Sequence, residues 1–135
     1  MDQNVKKQMG VEADELKGLF VTLYSIAEIP DAGRAAEEEL TNIYRRALGK
    51  LMEDLDDEKR MAIQMGLGTA DEAEELLNIL VDNFDAGAVQ KQVLESSQVI
   101  MGQWFNSTLP NMEHDKVLRM RDVLVEFGKK LESSQ

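Results

Sequence analysis

The sequence predicts an all-α protein, a compact bundle of five or six helices in a single domain over residues 1–135. Apolar residues make up 43% of the chain and recur at spacings of three and four, which keeps them on one face of a helix. No segment alternates apolar and polar residues as a half-buried strand does. The two prolines, Pro30 and Pro110, stand where helical patterns end. Residues 131–135 are expected to form a frayed tail.

The apolar periodicity divides the chain into six predicted helices, with approximate bounds 5–27, 31–55, 57–67, 69–84, 86–105 and 112–131. Gly10 weakens the first turns of the first helix, which favours a short helix followed by a longer one. Pro30 stops that helix, because proline disfavours helical angles in the residue before it. In the second helix, glutamates lie in the N-terminal half and basic residues in the C-terminal half, which suits the helix dipole.

The junction between the third and fourth helices carries its own signals. Asp56 or Asp57 is expected to cap the third helix, and Gly66 and Gly68 to end it where a left-handed backbone closes a helix. The segment Thr69–Glu72 has the pattern of a capping box, in which Thr69 caps the fourth helix and Glu72 bonds back to it. The fourth helix then has the clearest amphipathic pattern in the chain.

The fifth helix is unusual because Lys91 and Glu95 are its only charged residues. A helix so poor in charge is typical of a central helix surrounded by the others, or of one that pairs with another chain. In the second case Met101, Trp104 and Phe105 are the candidate interface residues, since aromatic side chains dominate binding hot spots.

The sixth helix is predicted to follow a loop over residues 106–111, with Asn111 as its cap. Its first turn contains His114, the only histidine. The chain has no cysteine, which excludes disulfides, thiolate zinc sites and iron–sulfur clusters, and it has no Ser-x-x-Lys or Gly-x-Ser-x-Gly motif. We therefore expect no catalytic residue, no cofactor and no metal, and predict that the protein is not an enzyme.

Two of the eight methionines, Met61 and Met65, lie one turn apart on the short third helix, while Ile63 and Leu67 point elsewhere. Methionine is flexible, so the pair fits two interpretations. It fills irregular gaps in the core, or it forms an adaptable surface that binds helices of a partner.

The charge balance limits the partners. Fifteen basic residues against 26 acidic ones give a net charge of −11, which disfavours sequence-independent binding to nucleic acid and docking on an anionic membrane. Residues 56–84 hold two basic and eight acidic residues, a net charge of −6. Within that segment we define the acidic face as Asp71, Glu72, Glu74 and Glu75. These carboxylates suit the start of a helix, or they meet a basic partner.

The chain has no apolar run of signal-peptide length near its N-terminus. Its most apolar stretch, residues 19–29, is too short and too polar to span a bilayer. The expected location is therefore the cytoplasm.

Together these patterns favour a non-catalytic helical protein-interaction module: an adaptor, a small subunit, a chaperone-like protein or a regulatory protein. Its partner is another protein or a second copy of itself, with the fifth or sixth helix as the homodimer contact. One alternative is an acidic decoy whose carboxylates imitate nucleic-acid phosphates and occupy a DNA-binding protein. Another is a small-ligand pocket between helices near Trp104 or Tyr44.

Overall fold

The computed structural model describes residues 3–68 and 72–133. They form helices α1 (Gln3–Ile26), α2 (Ala32–Met52), α3 (Asp57–Leu67), α4 (Ala73–Asn83), α5 (Ala86–Thr108) and α6 (His114–Ser133), with one 3-10 turn at Leu109–Asn111. The predicted all-α class is confirmed, and these two ranges contain no strand. Helix α6 continues to Ser133, and residues 134 and 135 of the expected frayed tail lie outside the described ranges.

Helices α1 and α5 continue through positions where the sequence predicts a break or a loop. Helix α1 passes through Gly10 without a break, because a single glycine costs a helix only about 1 kcal/mol. Helix α5 and the 3-10 turn occupy the predicted loop at 106–111. Asn111 therefore does not cap α6. The Glu113 carbonyl accepts the first bonds of that helix instead, from the amides of Lys116 and Val117.

Aspartate caps fix the starts of three helices. The carboxylates of Asp31, Asp56 and Asp85 each accept a hydrogen bond from the backbone N–H three residues later, at 3.3, 2.8 and 3.2 Å. Each bond satisfies an amide that the helix leaves without a partner. Of the two predicted caps for α3, it is Asp56 that serves. Gly68 ends the helix at a φ of +49°, whereas Gly66 lies within the helix, so the prediction that Gly66 also ends it is wrong.

The predicted start of α4 is wrong. The helix begins at Ala73, and the backbone of Glu72 is extended, with φ −98° and ψ 146°. A capping box needs its glutamate inside the first helical turn, so Glu72 cannot play that role. Thr69 and Asp71 lie outside the described residues.

Helix α2 is at the centre of the bundle. It packs against α1, α4 and α5, while α6 packs mainly on α1. Eight α2 residues are buried: Ala36, Leu40, Thr41, Ile43, Tyr44, Ala47, Leu48 and Met52. A smaller apolar cluster of Leu19, Leu23, Ile26 and Met120 joins α1 to α6. The core therefore consists of a large α1–α2–α4–α5 cluster and a small α1–α6 cluster.

Tyr24 connects three helices. Its ring lies edge-on to Trp104 of α5, with centroids 5.0 Å apart, and contacts Phe20 one turn earlier on α1. Its hydroxyl donates to Glu39 Oε2 of α2 at 2.8 Å. Burial raises the pKa of the Tyr24 hydroxyl well above its ordinary value, and the hydrogen bond and charge of Glu39 raise it further.

Helix α1 ends in a left-handed turn at Glu28, whose φ is 61°. The Ile29 amide bonds to the Tyr24 carbonyl and the Glu28 amide to the Ser25 carbonyl, which closes the last turn as a Schellman motif. Glycine is the usual residue at such a position. Here the Glu28 carboxylate pairs with Lys116 Nζ at 3.1 Å and so ties the turn to α6.

Arg60 closes the C-terminal end of α2. Its Nε donates to the Met52 carbonyl at 3.2 Å, and its Nη2 donates to the carbonyls of Leu55 at 3.0 Å and Glu53 at 3.4 Å. Its Nη1 lies 3.5 Å from Asp57 Oδ1. Carbonyls at the end of a helix have no partner within it, so one guanidinium satisfies the turn between α2 and α3.

We predict that Arg60→Ala lowers the free energy of unfolding by about 1–3 kcal/mol, because it leaves these carbonyls without a charged donor. Arg60→Lys should restore less than half of the loss, since an ammonium lacks the planar fork of donors. Urea unfolding followed by circular dichroism measures both values. The exposed neighbour Lys59, changed to Ala, is the control. An Arg60→Ala protein as stable as the control would contradict this role.

Candidate functional site

Met61 and Met65 lie on the surface of α3. Their exposed fractions are 61% and 77%, whereas Ile63 on the same helix is 8% exposed and faces the core. The interpretation of this pair as a gap-filler in the core is therefore wrong, and the surface interpretation matches their position. Two large apolar side chains one turn apart form a continuous exposed strip.

The residues around this strip are two carboxylates and one small side chain. Asp57 and Glu58 lie four and three residues before Met61, so they share its side of the helix, and both are exposed. Ala62 is exposed beside Met61 and leaves room for another chain to approach. We call the set Asp57, Glu58, Met61, Ala62 and Met65 the methionine face. It offers flexible apolar contacts with carboxylates at one end.

Further carboxylates lie on α4, which packs against α3. Glu74 and Glu75 are exposed in its first turn, where the helix dipole favours anions, and Glu72 is exposed just before it. The fourth member of the acidic face, Asp71, lies outside the described residues. Arg60 is one of only two basic residues in the segment 56–84, and its guanidinium is bound to backbone carbonyls. The end of the molecule formed by α3 and α4 is therefore strongly negative.

The other predicted interface residues lie elsewhere and are half-buried. Met101 and Trp104 pack against both core clusters, and Phe105 packs against the α1–α6 cluster. The Trp104 ring also contacts the Phe105 ring, with centroids 5.1 Å apart. These three belong to α5, whereas Met61 and Met65 belong to α3. The structure thus separates the five predicted residues into an internal group and an exposed pair.

Helix α5 is not surrounded by the other helices, contrary to one interpretation of its low charge. Val89, Ser96 and Ser97 are its only buried residues, while Leu94 and Val99 are 47% and 38% exposed. Its exposed side carries glutamines as well as Lys91 and Glu95, so a shortage of charge did not require burial. The exposure of Leu94 and Val99 was not predicted, because no signal in the local pattern separates them from core positions.

Two grooves of the surface do not coincide with the predicted ligand pocket. One groove, of about 560 Å³, lies between α1 and α6 and is lined by Val21, Thr22, Ser25, Ile26, Arg119, Asp122 and Val123. A second lies where α5 approaches α6 and is lined by Ala27, Ser107, Thr108, Asn111, Met112, Glu113 and Lys116. Neither contains Trp104 or Tyr44. Tyr44 is 2% exposed, and this burial raises the pKa of its hydroxyl, with nearby carboxylates raising it further.

Within residues 3–68 and 72–133, no three His, Asp or Glu side chains gather where they could hold a metal ion. His114 is exposed at the first position of α6. Among the helices of the same two ranges, none has the length and apolar character needed to cross a membrane.

Comparison of this chain with models of known protein families, with curated proteins and with solved structures finds no match. A functional assignment must therefore come from the surface chemistry of the chain itself. The methionine face is the strongest candidate, because no other large apolar side chain that the structure describes is as exposed as these two.

We predict that Trp104→Ala lowers the free energy of unfolding by about 3 kcal/mol, because the ring joins the two core clusters. The double change Met61→Gln and Met65→Gln should alter it by no more than about 0.5 kcal/mol, since neither side chain supports the core. Chemical unfolding of the two variants measures both effects. A double methionine variant as damaged as the Trp104 variant would place the pair in the core.

Proposed function

We propose that the protein is a non-catalytic helical binding module that docks a segment of another protein on the methionine face of α3. The observation that carries the proposal is the exposure of Met61 and Met65, at 61% and 77%, on a helix whose other side packs into the bundle. Contiguous exposed apolar groups on a soluble surface mark sites that a partner covers. Methionine suits this use because its unbranched side chain adapts to the shape of the partner.

The energy available at this face fits reversible binding. Full burial of one methionine contributes about 1.5–3 kcal/mol, so covering two that are already partly covered contributes about 3 kcal/mol. That amount corresponds to about a 100-fold change in Kd. The face can therefore supply a hot spot, while the remaining affinity comes from contacts around it.

The charge of the face defines the partner further. Asp57 and Glu58 stand beside Met61, and Glu72, Glu74 and Glu75 add negative charge on the neighbouring helix. Such a field speeds the approach of a basic segment and repels an acidic one. The partner that fits is an amphipathic segment with apolar anchors and flanking lysine or arginine residues.

The acidic decoy remains a second candidate, supported by the net charge of −6 over residues 56–84. A decoy imitates the phosphates of nucleic acid, which make no apolar contacts, so it binds its partner through carboxylates alone. The two proposals therefore differ in what the methionines do. In the decoy the methionine face is neutral for binding, and in the docking module it is essential.

The test uses fluorescence anisotropy with synthetic peptides: an amphipathic basic helix, its acidic counterpart and a scrambled basic sequence. We predict that the basic amphipathic peptide binds and that the acidic one does not. Changing Met61 and Met65 to Gln together should weaken binding about 10- to 100-fold. The matched control changes Leu94 and Val99 to Gln on α5 and should leave Kd within about 2-fold.

Absence of binding by every peptide, or equal losses in the methionine variant and the α5 control, would contradict the docking proposal. Binding of basic and scrambled peptides alike, unaffected by the methionine changes but lost when Glu72, Glu74 and Glu75 become Lys, would favour the decoy. Sensitivity to both sets of changes would support docking with electrostatic steering.

A further inference from the structure

The side of α6 that faces away from the core is a second candidate surface. Of the α6 side chains that the structure describes, residues 114–130, only Met120 is buried. We define the outer face of α6 as Asp115, Leu118, Asp122, Val125 and Lys129, which lie on the side of the helix opposite Met120. Leu118 is partly exposed, Val125 is 51% exposed, and the three charged residues are exposed.

The spacing along this face is that of a helix–helix seam. Its members follow one another at intervals of three, four, three and four residues, as do the contact positions of paired helices. Leu118 and Val125 stand seven residues apart in the middle. Asp115 lies at one end and Lys129 at the other. A face with an apolar residue on either side of Asp122 and opposite charges at its two ends can pair with a copy of itself that runs in the opposite direction.

We propose that a second copy of this chain docks on the outer face of α6, with the two α6 helices antiparallel. The arrangement brings Leu118 of each copy beside Val125 of the other. It also sets the Asp115 end of each helix against the Lys129 end of the other, so that two pairs of opposite charges form. A parallel arrangement would set like charges together at both ends and is disfavoured.

The centre of the seam brings like charges together and surrounds them with arginines. Pairing Leu118 with Val125 places the Asp122 side chains of the two copies at the two-fold axis. Arg119 and Arg121 flank Asp122 on the two sides of α6, and all three are exposed, so the arginines of both copies offset the repulsion between the two carboxylates. In the described part of the chain, neither Arg119 nor Asp122 forms an ion pair, so both are available for one across the interface.

The overall charge of the molecule favours this face over others for self-association. Two copies with a net charge of −11 repel each other. Residues 106–135 hold five acidic and five basic residues and are neutral, so repulsion is weakest where α6 meets α6. The α1–α6 groove continues the face, because Asp122 lines it together with Val21 and Val123. A symmetric contact can thus extend from α6 over α1.

Sedimentation equilibrium of the full chain tests the proposal. The wild-type protein should show a concentration-dependent mass that approaches twice 15.2 kDa. Val125→Gln should raise the dimer Kd about 10-fold or more, because each dimer contains the residue twice. Circular dichroism checks that the variant retains its helices, as expected for a residue half exposed in the monomer. A wild-type protein that remains a monomer at every concentration overturns the proposal.

A charge swap tests the antiparallel direction. Asp115→Lys and Lys129→Asp should each weaken the dimer about 10-fold, since each creates two like-charge contacts. The double variant restores the two ion pairs with their charges exchanged, so its dimer Kd should return to within about 3-fold of the wild-type value at low salt. The internal contact of Lys129 with Glu126, at 4.0 Å between exposed groups, is too weak to mask this pattern.

The control is Glu58→Lys on the methionine face, which should leave the dimer unchanged. A double variant as weak as either single variant, or a dimer insensitive to Val125→Gln, overturns the antiparallel α6 contact. Because the methionine face and the outer face of α6 lie on different helices, either proposal can fail while the other stands. Loss of peptide binding in the methionine variant with an intact dimer separates the two.

Discussion

The contact of α1, α2 and α5 around Tyr24 is the constraint on which the rest of the structure depends. The Tyr24 ring packs on Trp104, and its hydroxyl donates to Glu39 at 2.8 Å, so one side chain determines how three helices meet. A buried hydroxyl without a partner would be costly, and this hydrogen bond removes that cost while specifying the arrangement. The central position of α2, despite its many charged residues, follows from the continuous apolar face that it presents to this junction.

The packing of the long helices at this junction determines where the remaining apolar groups lie. Helix α3 packs on α4 through Ile63 and leaves Met61 and Met65 in water, and α6 packs on α1 through Met120 and leaves Val125 exposed. Both proposed surfaces are thus the outer sides of helices that rest on the edge of the core. Their chemistry differs, since one is strongly acidic and the other electrically balanced. That difference suits a basic partner at α3 and a second copy at α6.

Much of the fold follows from local patterns, because the spacing of apolar residues and the three aspartate caps act within a few residues of chain. The start of α4 was mispredicted because a capping-box sequence at Thr69 is only a local preference, and the helix begins at Ala73. The role of Arg60 as the cap of α2 could not be predicted, since it depends on how the turn between α2 and α3 directs the carbonyls of Met52 and Leu55. The methionine pair was identified by its spacing, but its exposure depends on which helices cover α3. Val125 was not predicted as a contact residue because it lies off the apolar stripe of α6 that faces the core. Only its exposure in the structure identifies it as a candidate.

Alkaline titration of the two tyrosines tests the central junction most directly, because Tyr24 and Tyr44 are the only tyrosines in the chain. Burial raises the pKa of both hydroxyls in the folded state above the ordinary value of 10.0, so the folded protein favours the protonated tyrosines. Their contribution to the free energy of unfolding is therefore complete below about pH 10 and is lost as the pH rises above it. Tyrosinate absorbance and helical circular dichroism should therefore change together, in a single transition that unfolds the protein. Formation of tyrosinate near pH 10 with the helices intact would contradict the buried junction and the separation of inner and outer faces built on it.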